Sequence, residues 1–94
     1  MVNIGLIEGR HAMPVDGYLL PANITESCGY GSALAQAAYN AVRQLHAEKG
    51  NFNLYLTGLT VAAVGATSGL LSVGITHFYS YDPVNQVYCR VEIL

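Results

Sequence analysis

From Gly50 to Tyr81 the chain carries no aspartate, glutamate, lysine or arginine. Within that run the spacing of apolar positions changes, and each change marks an element. Phe52, Leu54 and Leu56 alternate with Asn53 and Tyr55, the period-two pattern of a strand. Thr57-Gly58-Leu59-Thr60 breaks the alternation. A glycine there permits backbone angles that a Cβ resists, and either threonine hydroxyl is a candidate cap for a following helix. Residues 59–72 are small and apolar, with Val61, Ala62, Ala63, Ala66 and Ser68 set between Leu59, Leu70 and Leu71. They predict a helix that Gly74 stops. Residues 75–81 are rich in β-branched and aromatic side chains and predict another strand. Two strands joined by a helix are expected to lie parallel, with a right-handed crossover.

The flanks follow the same logic. Residues 2–7 alternate well enough for a first strand, and residues 8–15 read as a polar loop at its carboxyl end. Pro14 disfavours helix at Met13. Tyr18-Leu19-Leu20 is a short extended segment closed by Pro21. Residues 23–32 are punctuated by glycine and hydroxyl side chains, and Thr25, Ser27 and Ser32 are candidate caps. The helix they introduce runs from about residue 31 or 32 to about residue 47, with Leu34, Ala38, Ala41 or Val42, and Leu45 on one face. Lys49 and Gly50 close it. Asp82-Pro83-Val84-Asn85 is a turn by its chemistry, and residues 86–93 alternate again. That last strand is expected to pair antiparallel with residues 76–81, with Tyr79, Tyr81 and Tyr88 giving the hairpin an aromatic surface. The whole is one α/β domain over residues 1–94. It is expected to be small and Rossmann-like, of two or three layers, with a mixed sheet of about four to five strands, two helices and a C-terminal β-hairpin.

Composition adds an expectation about assembly. Charged residues are 11% of the chain and hydrophobic ones 52%, where about a quarter charged is usual. The helix over 59–72 is apolar nearly all round: Leu59, Ala62, Ala66, Leu70 and Val73 share one face, and Val61, Val64, Ser68 and Leu71 another. A helix apolar on every side is buried on every side. One side covers the sheet, and a second copy of the chain is the expected cover for the other, so a homodimer or larger assembly is predicted. A membrane span is the rival. Residues 54–75 are long enough to cross a bilayer, and Gly65 and Gly69 have the spacing of close helix contact in lipid. The glycines, the strand pattern at the start and the lack of a flanking basic cluster count against it. The amino terminus reads as a strand rather than a leader, which predicts a cytoplasmic protein with no membrane partner.

Net charge is −2, and the fixed cations are Arg10, Arg43, Lys49 and Arg90. Long nucleic acid is excluded as a partner, because affinity there depends on many neutralised phosphates. A small anion, needing one or two cations and some backbone N–H groups, is not. Cys28 and Cys89 have no metal spacing; nothing requires them to pair, although they could, and the plain expectation is two buried, reduced thiols. The three histidines share no ligand spacing, so neither metal nor cofactor is expected.

The parallel strands place ligands in the crevice outside their carboxyl ends. Two loops meet that description, residues 8–14 and residues 57–60. The 57–60 turn combines hydroxyls, close backbone approach and a helix N-terminus, which suit a phosphate or ribose, although any strand-to-helix turn needs a glycine and a cap. Cys28-Gly29-Tyr30-Gly31-Ser32 lacks the lysine and spacing of a Walker-type loop and reads as a structural cap. Arg10 and His11 beside Glu8 suit either a solvated polar loop or an anion site, with His11 able to act as acid or base near neutrality. His46 reads as a partner of a helix C-terminus and His77 as structural.

Asn53-Leu54-Tyr55-Leu56-Thr57-Gly58-Leu59-Thr60 and the small-residue helix after it resemble the second half of the CRISPR-associated Rossmann-fold domains. Those domains bind cyclic oligoadenylates across a dimer interface. The resemblance implies a small cytoplasmic homodimer of antiviral defence that senses, sequesters or degrades a cyclic oligonucleotide. On that expectation the ligand-binding residues are Arg10, His11, Thr57, Gly58, Leu59 and Thr60, with Glu8 and Asn3 lining the same crevice. An enzymatic alternative is a metal-independent phosphodiesterase with His11 as its catalytic acid–base residue. A third is a phage or mobile-element interaction protein with no small-molecule ligand, whose oligomer is its function.

Overall fold

The computed structural model describes residues 1–9 and 13–93. Strands β1 (Asn3–Ile7), β2 (Gly17–Leu20), β3 (Asn53–Leu56), β4 (His77–Asp82) and β5 (Val87–Glu92) form one sheet in the order β2-β1-β3-β4-β5. Neighbouring pairs are parallel except for β4 and β5, which are antiparallel. The described residues also form three helices: α1 (Ile24–Cys28), α2 (Ser32–Lys49) and α3 (Thr60–Ser72). The domain is therefore an α/β fold with a mixed five-stranded sheet and a C-terminal hairpin, as the pattern predicts. Tyr18–Leu20 proves to be part of a true edge strand, in parallel register with β1. The short helix α1 interrupts a stretch that reads as loop, because five residues are too few to show a helical period.

Topology decides where the helices lie. The steps β2 to β3 and β3 to β4 run in the same direction across the sheet. Right-handed crossovers in one direction put both connecting helices on one face. Accordingly Leu6, Leu54, Leu34, Ala38, Val42, Ala62, Ala66 and Leu70 form a single buried cluster between that face and the two long helices. The step β1 to β2 runs the other way and uses the opposite face. Met13, from that connection, sits with its sulfur 3.1 Å from where a Cβ on Gly5 would lie.

The apolar helix α3 is covered on its second side by α2. A Cβ on Gly65 would stand 2.0 Å from the Ala35 carbonyl oxygen, and one on Gly69 would stand 2.9 Å from Val42 Cβ. The two backbones thus meet through the Gly65–Gly69 spacing, so a second copy is not required to cover this side. What α3 leaves exposed is Thr60, Val64, Ser68, Leu71 and Ser72, with Val64 and Leu71 the large apolar members. Its end is well defined: the Gly74 N–H bonds Leu71 O, the Ile75 N–H bonds Leu70 O, and Gly74 has φ +79°. This is the Schellman arrangement, in which only glycine takes the left-handed position without strain. The expected side-chain caps are not made. Leu59 precedes α3 and Gly31 precedes α2, and neither helix has a side-chain cap bond.

The face opposite the helices carries a polar row and an aromatic patch. Asn53 Nδ2 donates to Asn3 Oδ1 at 3.0 Å, and His77 Nε2 lies 3.2 Å from Asn53 Oδ1. Asn53 Oδ1 only accepts, so Nε2 carries the proton in that bond. Farther along the strands Tyr55 stacks on Tyr79 with centroids 4.7 Å apart, and Tyr88 meets Tyr55 edge-on at 5.1 Å.

Both cysteines are free, but they are not both buried: Cys28 is half-buried and Cys89 lies exposed on edge strand β5. No helix among the described residues is long and apolar enough to cross a membrane.

Candidate functional site

The two ends of the sheet differ in what they can bind. At the carboxyl end, β3 runs out at Leu56, and Thr57 to Leu59 turn the chain into α3. The Leu59 N–H donates to Thr57 O at 2.8 Å, which closes a tight turn, and Gly58 sits at φ +51° in its middle. A Cβ is disfavoured there, so glycine lets the turn be this short. The first intrahelical bond runs from the Ala63 N–H to Leu59 O. The N–H groups of the first turn are left without intrahelical acceptors, as at any helix start, and no side chain caps them. The positive end of the α3 dipole adds to them.

The turn and Thr60, the first residue of α3, border a cavity of about 260 Å³ that Leu56, Thr57, Gly58, Leu59, Ala63 and Ser80 also line. Ser80 reaches it because it pairs with Leu56 in the parallel β3–β4 register and so shares the helix-side face. Thr57 is 7% exposed, and its hydroxyl oxygen is buried with no hydrogen-bond partner among the described residues. A buried hydroxyl without a partner costs about 1–3 kcal/mol. Few native polar groups are left so, and each needs a reason.

The structure gathers Thr57, Gly58, Leu59 and Thr60 around this one cavity. Glu8 is exposed just past the carboxyl end of β1, the strand beside β3. Asn3 lies at the amino end of β1, four residues of strand from the crevice, and its amide is engaged by Asn53. Strand direction separates it from the turn, so Asn3 does not line the site. Arg10 and His11 lie outside the described residues.

Leu56, Ala63 and Ser80 are the lining residues that sequence reasoning did not nominate, and Ser80 is the polar one among them. The available signal was the register of two parallel strands, which single-sequence patterns do not fix. Among the described lining residues none is titratable, and the described residues hold no cluster of three or more metal-ligating side chains. The other cations are occupied or distant: Arg43 bonds the Tyr39 hydroxyl on α2, Arg90 pairs with Glu92, and Lys49 ends α2. The site thus offers hydroxyls, backbone N–H groups and a helix dipole. Comparisons of the chain with protein-family models, with curated proteins and with solved structures give no match.

Proposed function

We propose that the protein binds a small phosphate-bearing, nucleotide-like ligand at the amino terminus of α3. The carrying observation is the Thr57 hydroxyl, buried and without a partner among the described residues, beside the uncapped first turn of a helix. An anionic oxygen in the cavity takes the N–H groups at the start of α3, the Thr60 hydroxyl adds to its shell, and the Thr57 hydroxyl, buried in the unliganded chain, joins it by turning about χ1 toward the cavity. The location agrees with general practice in parallel sheets. The turn lies at the carboxyl end of β3, the end of a parallel sheet outside which ligands sit, on the side toward β4. Cyclic oligonucleotides are the members of this class that the residue 53–60 resemblance nominates. Binding is favoured over cleavage, because the described lining has no group to move a proton.

The test is an amide NMR titration with inorganic phosphate and with a cyclic oligoadenylate. Saturable shifts are expected at Gly58, Thr60, Val61 and Ala62. Thr57→Val is expected to weaken binding by about tenfold, the loss of one hydrogen bond to a charged group. Shifts that never saturate, or that spare this turn, would remove the basis for the reading. Intact cyclic ligand recovered after long incubation is the expected outcome, and linear product would assign cleavage instead.

A further inference from the structure

The anion cavity does not end at the α3 turn. Leu56, Thr60 and Ala63 also line a second cavity of about 360 Å³, which continues along the outer flank of α3 past Val64 and Thr67 to Phe78. Its origin is topological. Both long crossover helices lie over the parallel part of the sheet, so among the described residues no helix covers the helix-side face of the β4–β5 hairpin. Phe78 and Ser80 point to that face, and the exposed side of α3 forms the wall above them. The groove is polar where the helix begins and apolar beyond. Its described lining carries no charge, and hydroxyls of Thr60, Thr67 and Ser68 edge its helix side.

We infer that the groove is the subsite for the body of the same ligand, which makes that ligand a nucleoside phosphate. This rests on the anion reading above and extends it. The head group binds the α3 amino terminus, and the uncharged flat body lies along α3 over Phe78. The two cavities adjoin through Leu56, Thr60 and Ala63, so one molecule that has both parts spans them. An acyl chain matches the apolar floor but leaves the hydroxyl edge without partners. A nucleobase has an apolar face for the ring and a polar rim for the threonines, the mixture that small-molecule sites use to fix orientation. A second copy of the chain, seated on Val64 and Leu71, is the competing occupant.

The experiment compares inorganic phosphate, ribose 5-phosphate and adenosine 5′-monophosphate by amide NMR and calorimetry. The wild type, Phe78→Ala and Val64→Gln are titrated with each. Val64 is 60% exposed, so Val64→Gln is fold-safe if Phe78→Ala loses stability. Adenosine 5′-monophosphate is expected to bind at least tenfold more tightly than the other two, with shifts at Ala63, Thr67 and Phe78. Both substitutions are expected to cut that advantage severalfold and to leave phosphate affinity unchanged. Equal affinities for all three probes, or an advantage untouched by either substitution, would overturn the groove while leaving the anion site standing. Absence of phosphate shifts at Thr60 to Ala62 would overturn both. A concentration-dependent dimer that protects Val64 and excludes the nucleotide would give the groove to a second copy instead.

Discussion

Gly65 and Gly69 stand out at the scale of single residues. Their spacing is visible in the sequence, where it fits a membrane contact as well as a soluble one. In the structure it lets α3 lie against α2 at backbone distance. An alanine at Gly65 gains about 1 kcal/mol of helix propensity, yet its Cβ would overlap the Ala35 carbonyl, which cannot swing away. Overpacking of this kind costs typically about 1–3 kcal/mol and sometimes more, so a net loss is expected. Gly69→Ala meets Val42 less closely, and Gly74→Ala meets nothing but forces a side chain into positive φ. Urea midpoints are expected to fall in the order Gly65→Ala most, then Gly69→Ala, then Gly74→Ala. A Gly65→Ala midpoint at or above wild type would contradict the close packing. Thr57 gives the opposite sign. Replacing its unpartnered hydroxyl by the isosteric methyl in Thr57→Val is expected to stabilise the unliganded protein by up to ~1 kcal/mol while weakening the ligand. A stability loss would mean that the hydroxyl has a structural partner.

At the scale of elements, the hairpin is the part most legible in sequence. Asp82 Oδ1 accepts the Val84 and Asn85 N–H groups, and Oδ2 accepts the Asn85 side-chain amide at 2.8 Å. The side-chain bond from Asn85, followed by its backbone N–H, holds the Asp82 carboxyl below its ordinary value. A depressed carboxyl contributes stability above the unfolded-state pKa, and that contribution is lost as pH falls through the folded value. Carboxyl NMR is expected to show Asp82 titrating below a free aspartate, and Asn85→Ala is expected to move it back up. An unchanged titration in Asn85→Ala would refute the assignment. On the aromatic patch, burial first and neighbouring tyrosines second raise Tyr55 and Tyr88. Their contribution is present below the ordinary tyrosine pKa and is lost as pH rises through the raised values. Absorbance titration of Tyr55→Phe and Tyr88→Phe is expected to remove late-ionising groups, whereas Tyr39→Phe removes an early one, because the Arg43 bond lowers Tyr39. The helix starts were less legible than their ends. Gly50 and Gly74 mark positive φ, which the chain can reach cheaply only with glycine, whereas a hydroxyl near a helix start becomes a cap only if its rotamer is free to turn inward.

At the scale of the whole molecule, one buried cluster ties strands β1 to β3 to both long helices, and the β4–β5 hairpin joins them through the sheet and a half-buried Phe78. The accessible surface is 5228 Å², close to the roughly 5,200 Å² expected for a folded monomer of this mass. Unfolding is expected to be one cooperative transition. Tyrosine fluorescence reports the aromatic patch and far-UV circular dichroism the helices, so their urea curves should coincide. A separate early fluorescence transition would show the hairpin melting apart from the helical layer.

The sequence by itself determined the elements, because hydrophobic period, glycine placement and turn chemistry act over a few residues and do not depend on partners. It fixed strand against helix through most of the chain, the closing glycines, the hairpin and the position of the Thr57–Thr60 turn. Tertiary structure decided what those elements face. Strand order set both long helices on one side, gave α3 its cover from α2, carried Asn3 to the far end of the sheet and brought Ser80 to the turn. Those outcomes depend on register and crossover direction, which join residues far apart in the chain and leave no periodic trace in it.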